Sequence, residues 1–405
     1  MTELSHSERV GSGARPSGLN IAIVANSSWY LFNFRSNLIR SLQSAGHCIV
    51  TMGARDAHSE RVAAMSGAHC DIPFSGAGTN PFRELPAVMA LRRAIRRHHI
   101  DVVLSFTPKG NVYAALAMTG LSARLVANVS GLGRAFASSG VLRTVVQSLY
   151  RRTFSRSDWV FFQNDEDQSY FVDRQWANAD RSSRLPGSGV DLSRFMPRPD
   201  GTTRAESRPT RFLLIARMLW DKGIGEFVEA AKIVRRQQPD ATFRLLGAVE
   251  QPGPAAVPRT TLEEWQAAGW IEYLGTTDDV AARIADADCV VLPSSYREGV
   301  PRSLLEAAAM ATPIIASDSV GCRDTVDDGV SGFLCRPKDA AHLADRMLAF
   351  IGLTPAQRLH MGREGRAKME REFDERIVLD SYADLLARWM PARGGRDALG
   401  LRRFR

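Results

Sequence analysis

The sequence predicts an α/β protein with two doubly wound domains, each built around a parallel sheet. Short apolar runs alternate with helical patterns, and most of these runs end in Ser, Thr, Gly, Asn or Pro. Strands that alternate with helices form parallel sheets covered on both faces. A stretch at 186–209, rich in Pro, Gly, Ser and Arg, separates two such series. The 405 residues are enough for two ordinary domains.

The first series predicts an N-terminal domain at residues 19–205, which follows a flexible leader at 1–18. It opens with the apolar run "LNIAIVAN" and a helical pattern, "SNLIRSLQSAGHCIV", that leads into another strand. Later runs with strand character are "DVVLSFTPKG" (101–110), "ARLVANVSGLG" (123–133) and "DWVFFQND" (158–165). Ligands of parallel sheets bind at the carboxyl ends of the strands, so the polar residues that close these runs are candidate binding residues.

The second series predicts a C-terminal domain at residues 206–375. Helical patterns such as "GEFVEAAKIVRRQQ" and "DAAHLADRMLAFI" lie between its strands. The strand-like runs are "RFLLIAR" (211–217), "ATFRLLG" (241–247), "IEYLG" (271–275), "DCVVLPSS" (288–295), "PIIAS" (313–317) and "GFLC" (332–335). We therefore expect two domains of similar size that face a shared cleft.

The chain is basic, with a formal net charge of +8. Between Val102 and Ser157 there is no Asp or Glu, and the stretch "SGVLRTVVQSLYRRTFSRS" predicts a basic amphipathic helix. Such a helix either packs its apolar stripe on the core or brings its basic side to anionic lipid or a lipid diphosphate. Nucleic acid is disfavoured as a partner, because stacking aromatics do not interleave with the basic residues.

The stretch "ARMLWDKGIGEF" predicts a site for a diphosphate. Arg217 closes a predicted strand, Lys222 follows five residues later, and Gly223 and Gly225 precede a helix. Two cations beside a helix N-terminus favour anions, because the exposed backbone N–H groups and the helix dipole both attract negative charge. The alternative is an Arg and a Lys on a solvated turn.

The stretch "YREGVPRSLLEA" carries two carboxylates, Glu298 and Glu306, separated by seven residues that include Pro301. Proline is favoured at the first helical position, which predicts Glu298 in a loop and Glu306 in the second helical turn. Helical side chains lean toward the N-terminus, so both carboxylates can reach one ligand. The residues alone leave an acid/base pair, a binding clamp and an ordinary helix surface open.

Taken together, these motifs resemble the retaining glycosyltransferases of family 4, which have the GT-B fold of two Rossmann-like domains. The resemblance rests on the E-x7-E pair, "ARMLWDKG" and "DSVGCRDTVDDGVSGFL", and extends to "SSWYLFNFR", "SFTPKGN", "FFQNDED" and "GSGVD". It covers most of the chain and points to the branch that builds bacterial surface polysaccharides and undecaprenyl-diphosphate-linked oligosaccharides. It also implies that the final helix, about 376–392, packs back on the N-terminal domain, before a basic tail at 393–405.

The resemblance implies a catalytic role for Glu298, Arg217 and Lys222. The two cations would grip the donor's diphosphate and stabilise the leaving nucleotide, and Glu298 would hold hydroxyls of the transferred sugar. Retention would come from front-face attack, in which the leaving phosphate takes the acceptor's proton. Neither a metal nor a cofactor is expected, because GT-B enzymes generally bind the donor without a metal.

The resemblance also implies the rest of the donor site. Glu306 would bind the hydroxyls of the nucleotide ribose. The backbone around Gly299 and Val300 would lie close to the donor, with Arg217 and Lys222 at its phosphates. The pair of glutamates is then a clamp on one nucleotide sugar.

We expect the acceptor to bind the N-terminal domain, at residues that follow predicted strands. Many family members carry a histidine after the strand that matches "LVANVSG", where it meets the donor sugar; this chain has Ser130 there, and no catalytic histidine is assigned. The alternative for "NSSWYLFNFR" is that Trp29, Phe32 and Phe34 simply pack the first helix. The candidate acceptor-binding residues are Asn26, Ser27, Tyr30, Asn33, Arg35, Lys109 and Ser130.

The expected reaction is transfer of an N-acetylhexosamine or hexose from a UDP-sugar to a lipid-diphosphate-linked saccharide. No apolar run in the sequence reaches the roughly 20 residues of a spanning helix. We therefore expect a cytoplasmic protein that is peripheral at the inner face of the cytoplasmic membrane and contacts its anionic surface. The alternatives are a GT-B epimerase or hydrolase that acts without a lipid acceptor, and a non-catalytic nucleotide-sugar-binding protein.

Overall fold

A computed structural model of the chain describes residues 18–74, 81–131, 141–198, 208–249 and 253–390, with the side chains of 81–83 and 141–143 left aside. The predicted leader, apart from Gly18, and the predicted basic tail at 393–405 lie outside the described residues. The middle of the predicted linker, at 199–207, also lies outside them.

The described strands form two parallel sheets. The first has seven strands in the order β3-β2-β1-β4-β5-β6-β7, and the second has six in the order β10-β9-β8-β11-β12-β13. The predicted fold class, an α/β protein with two doubly wound parallel sheets, is confirmed. The strands are β1 Asn20–Val24, β2 Cys48–Gly53, β3 His69–Asp71, β4 Val102–Ser105, β5 Arg124–Val129, β6 Trp159–Phe162, β7 Ser182–Arg184, β8 Arg211–Ile215, β9 Thr242–Leu246, β10 Glu272–Tyr273, β11 Cys289–Leu292, β12 Ile314–Ser317 and β13 Gly332–Cys335.

Helices connect most of these strands, as parallel pairing requires. The described α-helices are α1 Ser28–Ser44, α2 Ser59–Ser66, α3 Pro81–Arg97, α4 Pro108–Ala117, α5 Val141–Phe154, α6 Asp165–Asp173, α7 Ile224–Arg235, α8 Arg259–Ala267, α9 Val280–Ala285, α10 Arg302–Ala309, α11 Ala340–Ile351, α12 Pro355–Lys368 and α13 Glu375–Ala387. A π-helical turn, Met369–Phe373, joins α12 to the segment before α13.

The chain divides into two compact units. The described residues of the first unit fall within 18–105, 113–125 and 383–390, and those of the second fall within 106–112 and 126–382. The first unit buries one apolar core, in which Val50, Leu91 and Val103 pack together. The second unit contains separate apolar clusters on the two faces of the six-stranded sheet and another around Phe162 and Phe171.

Strand order in the second sheet positions three loops at one edge. β11 pairs with β8 on one side and with β12 on the other, and all of these pairs are parallel. The loops after β8, β11 and β12 therefore leave the same edge of the sheet. Gly223 allows the first two loops to touch, because it has a φ of 77° and a side chain on it would lie 2.3 Å from the Pro293 carbonyl oxygen.

Helix α13 contacts residues of the first sheet within the second unit. The Tyr382 hydroxyl donates a hydrogen bond to Asn128 Oδ1, and its ring packs edge-on against Phe161, with centroids 4.9 Å apart. The segment before this helix pairs with the chain near Val190, whose N–H donates to the Phe373 carbonyl at 2.8 Å. The Glu375 N–H donates in turn to the Val190 carbonyl at 3.1 Å. Tyr382 thus contacts strands β5 and β6 of the first sheet. The chain at Phe373 and Glu375 pairs with the chain at Val190.

Candidate active site

Lys222 lies at the end of a 3-10 turn, Trp220–Lys222, between β8 and α7. Its ammonium forms an ion pair with Glu298 Oε1, and it also lies 5.0 Å from the centroid of the Tyr296 ring. Both charged side chains are largely buried. Arg217, two residues beyond β8, is exposed. The structure thus brings together two of the three predicted catalytic residues, Lys222 and Glu298, from loops on adjacent strands.

The main chain also ties these two loops together. The Asp221 carbonyl accepts hydrogen bonds from the N–H groups of Ser295, at 2.9 Å, and Tyr296, at 3.1 Å. The buried Ser294 hydroxyl lies 2.9 Å from Glu298 Oε1 and 3.2 Å from the Asp221 carbonyl oxygen, so its one proton has two acceptors. The Glu298 carboxylate therefore pairs with the Lys222 ammonium and lies beside the Ser294 hydroxyl. Sequence reasoning missed Ser294, although its place two residues after the end of β11 was the signal.

Glu306 lies in the second turn of α10, as predicted. The proline position was wrong by one residue: Pro301 is the N-cap, because its ψ of 116° is extended, and the helix begins at Arg302. Glu306 Oε1 forms an ion pair with Arg302 Nη2 at 2.9 Å. Burial raises the pKa of the Glu306 carboxyl, and the positive charges of Arg302 and Arg194 act in the opposite direction. Glu306 thus has a different set of charged neighbours from Glu298.

Gly299 is enclosed by side-chain and main-chain atoms of other segments of the second unit. A Cβ on Gly299 would lie 1.9 Å from Gln163 Oε1 and 2.9 Å from the Ser130 carbonyl carbon. A Cβ on Gly131 would lie 2.7 Å from Gly299 N, and one on Gly321 would lie 1.9 Å from Gly299 O. The peptide that follows Glu298 is therefore packed against the loops after β5, β6 and β12.

Side chains after β6 bind the same loop. Gln163 Oε1 accepts a hydrogen bond from Val300 N at 3.2 Å, and Asn164 Nδ2 donates to the Glu298 carbonyl at 3.4 Å. The fully buried Asp167 forms an ion pair with Arg297 at 2.6 Å. Burial raises the pKa of Asp167, and the Arg297 charge partly offsets this effect. The loop at 297–300 is thus fixed on both sides of Glu298.

The three acidic residues of "NDED" lie in the first turn of α6, where the helix dipole favours negative charge, but they do not cap the helix. The capping side chain is instead Asn164, whose Oδ1 accepts from Asp167 N at 2.7 Å, and Asp167 turns to Arg297. Sequence reasoning missed this ion pair because its two partners are 130 positions apart in the chain.

The first group of candidate acceptor residues lies in the first unit, around the start of α1. Ser27 caps this helix by accepting from Tyr30 N at 3.2 Å, and Arg35 Nη2 donates to the Tyr30 hydroxyl at 2.9 Å. Asn33 Nδ2 donates to the Trp29 carbonyl, and Asn26 is exposed. These contacts give Ser27, Tyr30 and Arg35 structural roles, while Trp29 remains 46% exposed. The binding of an acceptor by these five candidate residues, Asn26, Ser27, Tyr30, Asn33 and Arg35, stays a prediction.

The other two candidate acceptor residues lie in the second unit. Lys109 is the second residue of α4, and Ser130 follows β5 directly. Ser130 precedes Gly131, so it lies in the segment that packs against Gly299. The structure thus places Ser130 beside the predicted donor loop, where sequence reasoning grouped it with the acceptor.

Among the residues that the structure describes, no group of three His, Cys, Asp or Glu side chains is arranged to hold a metal ion. None of the described helices has both the length and the apolar character that a membrane span requires.

Comparison with known proteins identifies the family. The model described as "Glycosyl transferases group 1" matches residues 209–352, and the model described as "Glycosyl transferase 4-like domain" matches residues 34–187. Together they cover most of the chain and meet near the predicted linker. The chain is a glycosyltransferase of the GT4 type. The predicted family and the predicted enzyme class are confirmed.

Relatives of this glycosyltransferase agree with the family models. The N,N'-diacetylbacillosaminyl-diphospho-undecaprenol alpha-1,3-N-acetylgalactosaminyltransferase of Campylobacter jejuni is 26% identical over 384 residues, which cover 91% of this chain and 99% of that one. The sucrose-phosphate synthase of Thermosynechococcus elongatus has a TM-score of 0.75 at 17% identity, over 92% and 99% of the two chains. Anabaena Alr3699/HepE in complex with UDP-glucose has a TM-score of 0.73 at 18% identity, over 91% and 100%. The two solved structures support the GT-B fold.

The packing around Gly299 predicts the effect of a methyl group at Gly131. Gly131→Ala should lower the free energy of unfolding by about 2–4 kcal/mol, because a left-handed residue gains a Cβ and that Cβ overlaps backbone atoms of 297–299. Gly120→Ala is the matched control, since Gly120 has a φ of 73° and no atom lies within 4 Å of its added Cβ. It should lose only about 1 kcal/mol. Equal losses in urea unfolding would contradict the close approach.

The buried Glu306 predicts a pH dependence of stability. Its folded pKa lies above the roughly 4.3 of a free glutamate, so the native state binds more protons than the unfolded state between these two values. Stability from Glu306 is therefore present at low pH and falls as pH rises through that window. Relative to Glu306→Gln, the wild type should lose unfolding free energy as the pH rises above about 4.3.

Urea unfolding of both proteins across this range measures the difference. Asp167 titrates in both and cancels in the comparison. Glu229→Gln, at the partly exposed pair of Glu229 with Lys232, controls for replacing a glutamate at the surface. A wild-type curve parallel to that of Glu306→Gln at every pH would show that burial does not perturb this carboxyl.

Proposed function

We propose that this glycosyltransferase moves a sugar from a UDP-sugar to a lipid-diphosphate-linked saccharide, with retention of the anomeric configuration, in surface polysaccharide or glycan synthesis. The observation that carries the proposal is the buried contact of Lys222 with Glu298 at adjacent strand ends. In this proposal the Lys222 cation binds phosphate, and the neighbouring Glu298 carboxylate binds sugar hydroxyls. The family match over both halves of the chain supports it.

The names of similar proteins support the substrate class. The Campylobacter jejuni relative is named for an acceptor linked through a diphosphate to undecaprenol and for transfer of N-acetylgalactosamine. The Anabaena structure holds UDP-glucose. We infer a UDP-sugar donor and a lipid-diphosphate acceptor for this chain on the strength of these likenesses.

In the proposed mechanism, Lys222 and Arg217 bind the donor's diphosphate. Negative charge grows on the phosphate oxygen as the bond to the sugar breaks, and a fixed cation in a partly dry site lowers the barrier by about 3 kcal/mol. Lys222 pairs with Glu298 in the structure. The diphosphate would be a second anionic partner for the ammonium.

Glu298 binds hydroxyls of the transferred sugar in this proposal. Carboxylates accept strong hydrogen bonds from such hydroxyls. The loop at 297–300 has little freedom, since Asp167, Asn164 and Gln163 fix it. The sugar would therefore meet a carboxylate that is already oriented, and the attacking hydroxyl would approach on the face that the phosphate leaves.

Glu306 binds the ribose hydroxyls in this proposal, beside its ion-pair partner Arg302. A buried carboxylate needs a compensating charge to stay ionised. The Arg302 pair supplies that charge and leaves lone pairs of the carboxylate for hydroxyl groups. Acceptor binding by Ser130 and Lys109, both in the second unit, is part of this proposal.

The same proposal places the enzyme at the inner face of the cytoplasmic membrane. Helix α5, the predicted basic amphipathic helix, buries Tyr150 and Phe154 but leaves Val145 50% and Leu149 37% exposed. Its last turn carries Arg151 and Arg152. Exposed apolar residues beside arginines favour the lipid interpretation of this helix over simple core packing.

The decisive experiment incubates the purified protein with a panel of UDP-sugars and undecaprenyl-diphosphate-linked saccharides. UDP release and the product's anomeric configuration, read by NMR, are measured. We expect release that depends on the lipid-linked acceptor and a product with the donor's configuration. An inverted product would contradict retention. Full consumption of the UDP-sugar without acceptor would instead favour an epimerase or hydrolase.

The two glutamates should differ in their kinetic effects. Glu306→Ala should raise KM for the UDP-sugar about tenfold with little change in kcat, because it removes ribose contacts that persist in the transition state. Glu298→Ala should lower kcat about 100-fold, because it removes contacts at the reacting sugar. Steady-state kinetics with one UDP-sugar and one acceptor separate the two.

Glu229→Ala is the control for loss of a surface glutamate that pairs with a lysine. It should leave both constants unchanged. If Glu298→Ala and Glu306→Ala both lowered kcat alone and by the same factor, the proposed division between sugar and ribose would be wrong. If Lys222→Ala left the rate of sugar transfer unchanged, the proposed binding of phosphate by Lys222 would be wrong.

A further inference from the structure

The outer face of helix α3, in the first unit, exposes apolar side chains. Leu85 and Met89 are each 55% exposed and lie one helical turn apart. Buried residues such as Leu91 and Ile95 anchor the opposite face of the helix in the core. The helix is therefore firmly packed on one side and presents large hydrophobic groups to solvent on the other.

The same face is strongly basic. Arg92, Arg93, Arg96, Arg97 and His99, together with Met89, line a cavity of about 540 Å³. The helix has one acidic residue in its described side chains, Glu84, and it is buried away from this face. A positively charged surface thus adjoins the two exposed apolar side chains.

The arginines of this face differ in the hydrogen bonds and ion pairs that they form. Arg92 Nη1 lies 2.7 Å from the Ala117 carbonyl and 2.7 Å from the Thr119 carbonyl, so it helps to fix the end of α4. Three other arginines are exposed and form no ion pair with any residue that the structure describes: Arg93, Arg96 and Arg97. These three guanidinium groups are available for phosphate.

We propose that the α3 face, defined by Leu85, Met89, Arg93, Arg96 and Arg97, binds the phosphate groups of an anionic bilayer. Guanidinium groups pair with phosphate oxygens through two N–H donors each. Leu85 and Met89 enter the boundary between headgroups and acyl chains, as in helices that lie in the membrane interface. A free phosphate ion accounts for the arginines but gives no role to the exposed apolar pair.

The inference rests on the proposed function in one respect, since a lipid-linked acceptor places the enzyme at a bilayer. It adds a surface in the first unit, distinct from α5 in the second. Vesicle binding without any substrate tests it, so a failure here is distinguishable from a failure of the proposed reaction.

The test measures co-sedimentation of the full chain with phosphatidylcholine vesicles, with and without phosphatidylglycerol. The combined variant Arg93→Glu, Arg96→Glu, Arg97→Glu should bind the anionic vesicles at least about tenfold more weakly than the wild type. The control variant Arg236→Glu, Arg283→Glu, Arg363→Glu changes the same charge at exposed positions of the second unit. It should bind within about twofold of the wild type, and thermal unfolding of every variant confirms folding.

Two further arms separate the sources of phosphate. Leu85→Ser with Met89→Ser should weaken binding to anionic vesicles, and inorganic phosphate at matched ionic strength should not displace them. Wild-type binding by the arginine variant, or equal losses in both arginine variants, would overturn the proposal. So would full binding by the Leu85 and Met89 variant, or displacement by inorganic phosphate, because each indicates a site for an anion rather than a bilayer.

Discussion

The buried contact of Lys222 with Glu298 is the interaction on which the candidate site depends. Taking two charges out of water costs several kcal/mol per ion, and apolar residues in their place are often no less stable. The pair is therefore poorly explained as a source of stability. It is well explained as a preorganised cation and carboxylate, held where β8 and β11 end side by side. Gly223 and the Asp221 carbonyl supply the close loop contact that this arrangement needs.

The loop that carries Glu298 is held by parts of the chain far away in sequence. Gln163 and Asn164 bind its main chain, and Asp167 binds its Arg297 side chain. Gly131 and Gly321 let backbone approach Gly299 from two sides. A carboxylate fixed in this way loses little freedom when a ligand binds, which is how positioning contributes to catalysis. The segment "FFQNDED", which part of the family resemblance rests on, thus has a physical role in the site.

Local patterns predicted most of the fold. The longer strands of both sheets are short apolar runs closed by polar residues, and periodicity reveals the helices. The three-residue strands β3 and β7 were missed, because "HCD" and "SSR" have no apolar run and pair only as edges of a formed sheet. Pro301 shows a finer limit, since its fixed φ suits both the first helical residue and the N-cap. Only ψ, which the neighbouring chain sets, distinguishes the two.

The sequence by itself determined the α/β class, the loop position of Glu298 and the helical position of Glu306, because these follow from local periodicity and from one proline. The tertiary structure alone decided which charges meet. Lys222 could have faced solvent, and Asp167 could have capped its own helix. Instead they pair with Glu298 and Arg297, 76 and 130 positions away. Such pairing depends on strand order and loop packing, which no short stretch of sequence encodes.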